Sequence, residues 1–428
     1  MMYKTIFFKN HFLKFFLIFL ILLSYYRSPF IFNNGRFLGL DFYYHLLSGS
    51  LSFFDSLIYV DTDPRYLNLA SNISSLISSR LFDLEYAQYV PVYLSFLVYL
   101  IIFYQILFKK SYLFKKKYQK YLGSLICLVA PVMNFEIWLN VVNLQVYLGV
   151  LGLVILFIKE EDNNSINYFL LTIGGLTGVY TCLLTPLFFL KYLAKRNFSN
   201  LICFLVLTFC SLIQFIIIFY VSMDVNPIGS EVSNSSLTLS LSKFEIISYC
   251  YNVFIRLFIG SSLPTYLISL FDINIYNTFY NESIKNLLFI FSTLALLVSF
   301  FLILFFFISI KNKKDKLIYF ILLIFFIEAS LTVIFGGVTD SLAGRYSSLP
   351  GIALIFSFLF LSNASEVKWV KFFSLYLMIS TIVFGLIDFR LKKYITYLDC
   401  INCPNWSEEV AKYKLDKNYK LRVWPYDP

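Results

Sequence analysis

Apolar residues in this chain fall in long blocks, separated by short polar or charged stretches. The blocks cover Phe12–Tyr26, Ala87–Phe108, Tyr121–Ile158, Ile166–Leu190, Leu201–Met223, Leu287–Ile310, Leu317–Phe335, Leu349–Leu361 and Trp369–Ile387. A block of about 20 nearly uncharged residues predicts a helix that crosses a bilayer. Tyr121–Ile158 has room for two spans of about 19 residues, with the polar stretch from Asn134 to Asn140 at their outer tip. Ile166–Leu190 is too short for two full spans, yet Lys191, Lys195 and Arg196 just beyond it favour the cytoplasm. Gly174, Gly175, Gly178 and Pro186 there predict two short, broken helices. The expected fold is all-α and membrane-embedded, with about 11 transmembrane helices.

The loops set the orientation. Lys4, Lys9 and Lys14, the basic stretch Lys109–Lys120, and Lys311, Lys313, Lys314 and Lys316 mark cytoplasmic segments. No small-residue cleavage site follows the first block, which reads as an uncleaved span. Residues 27–86 form a first outer loop that mixes Arg27, Arg36, Asp41, His45, Asp55, Asp61, Asp63, Arg65 and Arg80 with many aromatics. That mixture predicts amphipathic helices in the outer interface, apolar faces toward the membrane. A second outer segment covers 224–285. The organisation expected is a polytopic transmembrane domain, 1–389, and a short outer-facing tail, 390–428.

Composition sharpens this picture. Of 428 residues, 59% are hydrophobic and 14% charged, against about 45–50% and about 25% in soluble domains. Soluble enzyme, disordered protein and disulfide-stapled secreted domain are excluded. The net charge of +10 lies in loops rather than on a soluble basic face, so membrane lipid and not nucleic acid is the expected partner. The abundance of Phe, Ile, Leu, Asn and Lys suits a bacterium with an AT-rich genome, which places the chain in a bacterial inner membrane. Cys127, Cys182, Cys203, Cys210 and Cys250 lie in or beside apolar stretches and read as packing. Cys400 and Cys403 read as a structural disulfide in a tail that packs over the outer mouth.

Four constellations carry candidate chemistry. Asp41 and His45 are four apart, on one face of a helix; a desolvated Asp41 there serves as a base for a hydroxyl, or the two merely hydrogen-bond and orient the loop. Asp61 and Asp63, beside Arg65, suit a divalent cation and a phosphate; the alternative is a turn with Asp63 capping a helix that begins at Arg65. Glu136, Asn140 and Asn143, at i, i+4 and i+7, form a helical stripe with Trp138 and Gln145 nearby, suited to sugar hydroxyls or to gluing helices together. Arg345, with Asp340 and Tyr346, can clamp a lipid phosphate or simply pair with Asp340 or Glu328.

The order of a first span, an acidic outer loop with amphipathic helices and many short paired spans resembles the GT-C superfamily of polytopic glycosyltransferases. Pro131–Gln145, Gly175–Pro186 and Gly344–Pro350 also resemble a broad group of bacterial multi-pass proteins with no assigned reaction. The GT-C resemblance implies sugar transfer from a polyprenyl-phosphate donor to a surface glycan or lipid-linked acceptor on the outer face. Asp41 would match the first-loop catalytic acid, with Asp61 and Asp63 the rival placement, and Arg345 a phosphate contact. No adjacent acidic pair directly follows the first span, which leaves the divalent cation and the identity of the base open. A polysaccharide polymerase or ligase, and a non-enzymatic lipid-glycan transporter, are the competing expectations. Missing internal symmetry and polar residues crowded at the outer face speak against transport.

Overall fold

A computed structural model describes residues 2–61, 65–130, 137–224, 302–335, 344–387, 389, 404–416 and 418–423. The fold is all-helical, and its contacts divide it into two units, one of 1–124, 135–218 and 389–428, the other of 125–134 and 219–388. In the first unit the helices are α1 (Met2–Arg27), α2 (Pro29–Asn34), α3 (Gly39–Ser50), α4 (Phe53–Leu57), α5 (Leu69–Leu81), α6 (Leu84–Ala87) and α7 (Tyr89–Phe108). After these come α8 (Lys117–Val129), α9 (Leu144–Leu156), α10 (Ser165–Leu176), α11 (Thr185–Lys195) and α12 (Phe198–Asp224), of which α8 and α12 run on into the second unit. The second unit holds α13 (Lys313–Phe335), α14 (Gly344–Ala364) and α15 (Lys368–Ile387). There α14 packs against both neighbours, and Ser365 bonds Ser309 (2.9 Å) beside the stacked rings of Phe305 and Trp369. The tail returns to the first unit as α16 (Trp406–Leu415).

Among the described residues, three helical stretches are long and apolar enough to cross a membrane: Leu84–Phe108, Phe198–Val221 and Lys368–Ile387. Large apolar side chains cover their outward faces, Phe209, Phe215 and Tyr220 on α12 and Phe372, Tyr376 and Ile387 on α15. So much exposed apolar surface is compatible with a membrane protein.

α9 is apolar all round and every one of its residues is buried, so it stands at the centre of the first unit, with α7 and α10 packed on it. At 13 residues it rises about 20 Å, less than the span of about 19 residues expected here. Within the polar patch before it, Ile137, Trp138 and Leu139 form a turn buried in the core. Non-helical backbone is tolerable at such depth only where protein surrounds it.

The broken helices expected over 166–190 are α10 and α11. Gly178 (φ +110°) turns the chain between them, and Pro186 sits in the first turn of α11, where its missing N–H is harmless. Lys191 and Lys195 then come back to the end where α10 starts, donating to the Ile158 carbonyl (3.0 Å) and the Glu160 carboxylate (3.1 Å).

Residues 27–86 form the expected helices, with large apolar side chains facing outward. α3 exposes Leu40, Tyr43 and Leu46 and buries Asp41, Tyr44, His45 and Ser48. α5 packs on it and buries Ser71, Asn72, Ser74, Ser75 and Ser78. α5 does not begin at Arg65, whose φ of 61° is left-handed; Asn68 caps it instead, accepting from the Ser71 N–H at 3.3 Å.

A Cβ at Gly178 would collide with the Gln145 carboxamide in a backbone conformation that L-residues avoid. Gly178→Ala is therefore expected to lower the thermal midpoint in detergent, at a cost of about 1–3 kcal/mol. Gly49→Ala, where a Cβ meets only Ser79 at 3.9 Å, should leave the midpoint unchanged or raise it. Equal midpoints for wild type and Gly178→Ala would refute the strained turn.

Candidate functional site

α3 starts after Leu38, which offers no side-chain cap, and Asp41 lies in its first turn, where the helix dipole favours a negative group. The turn before α9 comes to meet it. Leu139 adopts φ 53°, a strained conformation for a non-glycine residue, and the backbone amides of Val141 and Val142 face the Asp41 carboxylate. Asn140 shapes this turn through its Oδ1, which accepts from the Val142 N–H at 3.0 Å and the Asn143 N–H at 3.4 Å.

Asp41 lines a narrow cleft with Arg36, Gln88, Pro91, Trp138 and Leu139, with room for about one water. It is 4% exposed, and Oδ1 has no hydrogen-bond partner; nor does Gln88 Oε1 across the cleft. Burial pushes the Asp41 carboxyl up to about 7, with the Val142 and Val141 amides pulling the other way. The Trp138 ring is fixed by an Nε1–H bond to Ser28 Oγ (2.7 Å), and the Arg27 guanidinium lies 4.6 Å over its face.

Arg36 is committed elsewhere. It donates to Glu409 (2.7 Å), the Arg422 carbonyl (3.0 Å) and the Pro404 carbonyl, all in the tail. Trp406 donates from Nε1 to the Leu84 carbonyl (3.0 Å) and packs with Val410 against Phe37 and Ala87. The tail thus docks on the segment of Arg36, Phe37, Leu84 and Ala87; Cys400 and Cys403 lie outside the described residues.

The remaining sequence candidates are dispersed. His45, one turn beyond Asp41, faces Ser78 (Nδ1 to Oγ, 2.9 Å) between Phe37 and Phe42, and burial pushes it down to about 4. Among the described residues no ion pair joins it to Asp41. Asp61 accepts from Tyr44 at 3.3 Å and the Arg65 N–H bonds its carbonyl, while Asp63 lies outside the described residues. Asn140 and Asn143 do not share a helix face as their spacing predicts, because the Asn140 turn leaves Asn143 as the residue before α9; Glu136 is not described. Arg345 and Tyr346 open α14 in the second unit, and Asp340 is outside the described residues. No group of three or more His, Cys, Asp or Glu able to hold a metal occurs among the described residues.

Comparison of the chain with protein-family models, curated proteins and solved structures finds no match. The cleft must be read from its own chemistry. A buried carboxylate that holds its proton to near neutrality, with a free lone pair beside a strained turn, has the attributes of a general base. Sequence reasoning singled out Asp41 and Trp138 but missed Arg36 and Gln88. Gln88 offered one signal, a lone amide directly ahead of a long apolar block.

Two measurements address Asp41. A hydrophobic carbodiimide modifies only protonated buried carboxyls, so mass-spectrometric labelling of Asp41 is expected to fall with a midpoint near pH 7; a midpoint below pH 5 would rule out a raised pKa. The folded state also keeps a proton that the unfolded chain loses near pH 4, so stability falls as pH rises from about 4 to about 7. Asp41→Asn removes that penalty, on the order of 4 kcal/mol. Its thermal midpoint should exceed wild type at pH 8, with the gap closing below about pH 4.

Proposed function

We propose that this chain is a multi-pass membrane glycosyltransferase that transfers a sugar from a polyprenyl-phosphate donor to a hydroxyl acceptor, with Asp41 as the base. The observation that carries the reading is Asp41 itself, buried with an unpartnered oxygen in a cleft formed by the first outer loop and the turn before α9. Asp41 takes the acceptor hydroxyl proton, the oxygen attacks the anomeric carbon, and the bond to the polyprenyl phosphate breaks. Such a displacement needs one base and a stabilised leaving group. Arg36 is committed to the tail rather than to the leaving phosphate.

Orientation follows the same reading. Phe12 and Phe16 of α1 pack on Tyr121 of α8, beside the basic Lys109–Lys120 stretch, whereas Arg27 at the other end of α1 meets Trp138. By the positive-inside rule, the N-terminus and basic loops lie in the cytoplasm of a bacterial inner membrane. The Asp41 cleft and the tail then face the outside, where lipid-linked sugars are consumed.

The test is the mass profile of surface and lipid-linked glycans in a deletion strain of the producing bacterium, complemented with wild type or Asp41→Asn. A sugar lost on deletion should return with wild type and not with equally expressed Asp41→Asn. Unchanged glycans in the deletion strain would remove the transferase reading, and full rescue by Asp41→Asn would remove Asp41 as its base.

A further inference from the structure

We infer that Glu409 is a positioning residue for Asp41: it fixes Arg36 as one wall of the Asp41 cleft, so that the C-terminal segment governs access to that carboxylate. The proposed function matters here only for what such access achieves; the docking is independent of it.

The geometry is specific. Arg36 and Glu409 are 6% and 0% exposed, and Glu409 Oε2 accepts from both Arg36 Nη1 (2.7 Å) and the Arg422 N–H (3.1 Å). The Arg422 guanidinium lies 3.9 Å from the other Glu409 oxygen. With the Pro404 and Arg422 carbonyls, the tail thus surrounds the Arg36 head group while Arg36 also borders the cleft. An apolar contact would hold the tail equally well, since a buried ion pair rarely adds net stability. What the pair adds is direction, because a planar guanidinium bound to several fixed acceptors has little freedom to turn. The cleft has room for about one water, so a larger group reaches Asp41 only if a wall moves. The walls from α3 and the turn before α9 belong to the packed core, whereas the wall formed by Arg36 is anchored to a segment that joins the unit from the far end of the chain.

The test uses the purified full-length protein in detergent. Labelling of Asp41 by a water-soluble carbodiimide and limited proteolysis of the tail are followed in wild type, Glu409→Gln and Trp406→Phe, with exposed Asp55 as the reference carboxyl. Glu409→Gln keeps the shape but removes the charge that opposes Arg36. Asp41 labelling should accelerate roughly tenfold or more, with faster tail cleavage and unchanged Asp55 labelling. Trp406→Phe, which removes the bond to Leu84 and part of the ring packed on Phe37 but keeps the Glu409–Arg36 pair, should have a smaller effect in the same direction. Faster cleavage with unchanged Asp41 labelling would show that the tail does not wall the cleft. Unchanged cleavage and labelling would show that Glu409 does not hold it. Either result overturns the inference. Should labelling respond as expected while gene deletion leaves every glycan unchanged, the positioning role of Glu409 stands and the transferase reading falls.

Discussion

Gln214, midway along α12, bonds both backbone groups of Leu67, accepting its N–H and donating to its carbonyl at 3.0 Å, and also donates to the Gly175 carbonyl at 3.1 Å. One carboxamide thus joins a helix, the extended chain entering α5 and the end of α10. Asn68 extends the link to the Val142 carbonyl (2.9 Å), and Thr177 accepts from the Ala70 N–H (3.1 Å). Buried backbone outside helices must find partners, and these amide and hydroxyl side chains supply them. The position of α5 depends on this junction, as do α3 packed against it and the turn that faces Asp41.

The same constraint turns the segment of α3 and α5 inside out relative to a soluble domain. The buried faces of α3 and α5 carry Ser, Asn, His and Asp, while Leu, Tyr and Phe face outward. Small hydroxyl side chains let the helices approach closely and still pair their polar groups, as His45 and Ser78 do. Asp41 departs from that economy, since a buried carboxylate oxygen left unpaired is unfavourable and the left-handed Leu139 beside it adds strain. Two local violations of the packing rules meet at one cleft, which is where function is to be sought.

Charge is handled differently at the two ends of the first unit. At the basic end, Glu160 gathers Tyr112, Lys191 and Lys195, and Lys195 also covers the Tyr112 ring. Burial opposes the Glu160 charge, but Tyr112, its own backbone, Lys191 and Lys195 outweigh it and hold the carboxyl at about 2. That end is a closed network around a permanent anion. At the cleft, Glu409 and Arg36 neutralise each other, and among the described residues no cation pairs with Asp41. One end stabilises its charges, and the other keeps a proton within reach of neutral pH.

The sequence by itself determined that the fold is helical, because burial in an apolar surrounding imposes long blocks that local composition reveals. The glycines and Pro186 likewise marked the broken pair α10 and α11, since backbone conformation at those residues is a local property. Asp41 stood out as a carboxylate among aromatics one helical turn from His45. Local spacing misled at Asn140 and Asn143: it matches one helix face, yet the Asn140 carboxamide captures the next amides and shapes a turn. Tertiary structure alone decided who surrounds Asp41. Arg36 and Glu409 are 373 positions apart, and Gln88 reaches the cleft only because α7 packs beside the core. A pairing between two isolated polar residues leaves no periodic trace in a sequence, since only the packed chain brings them together.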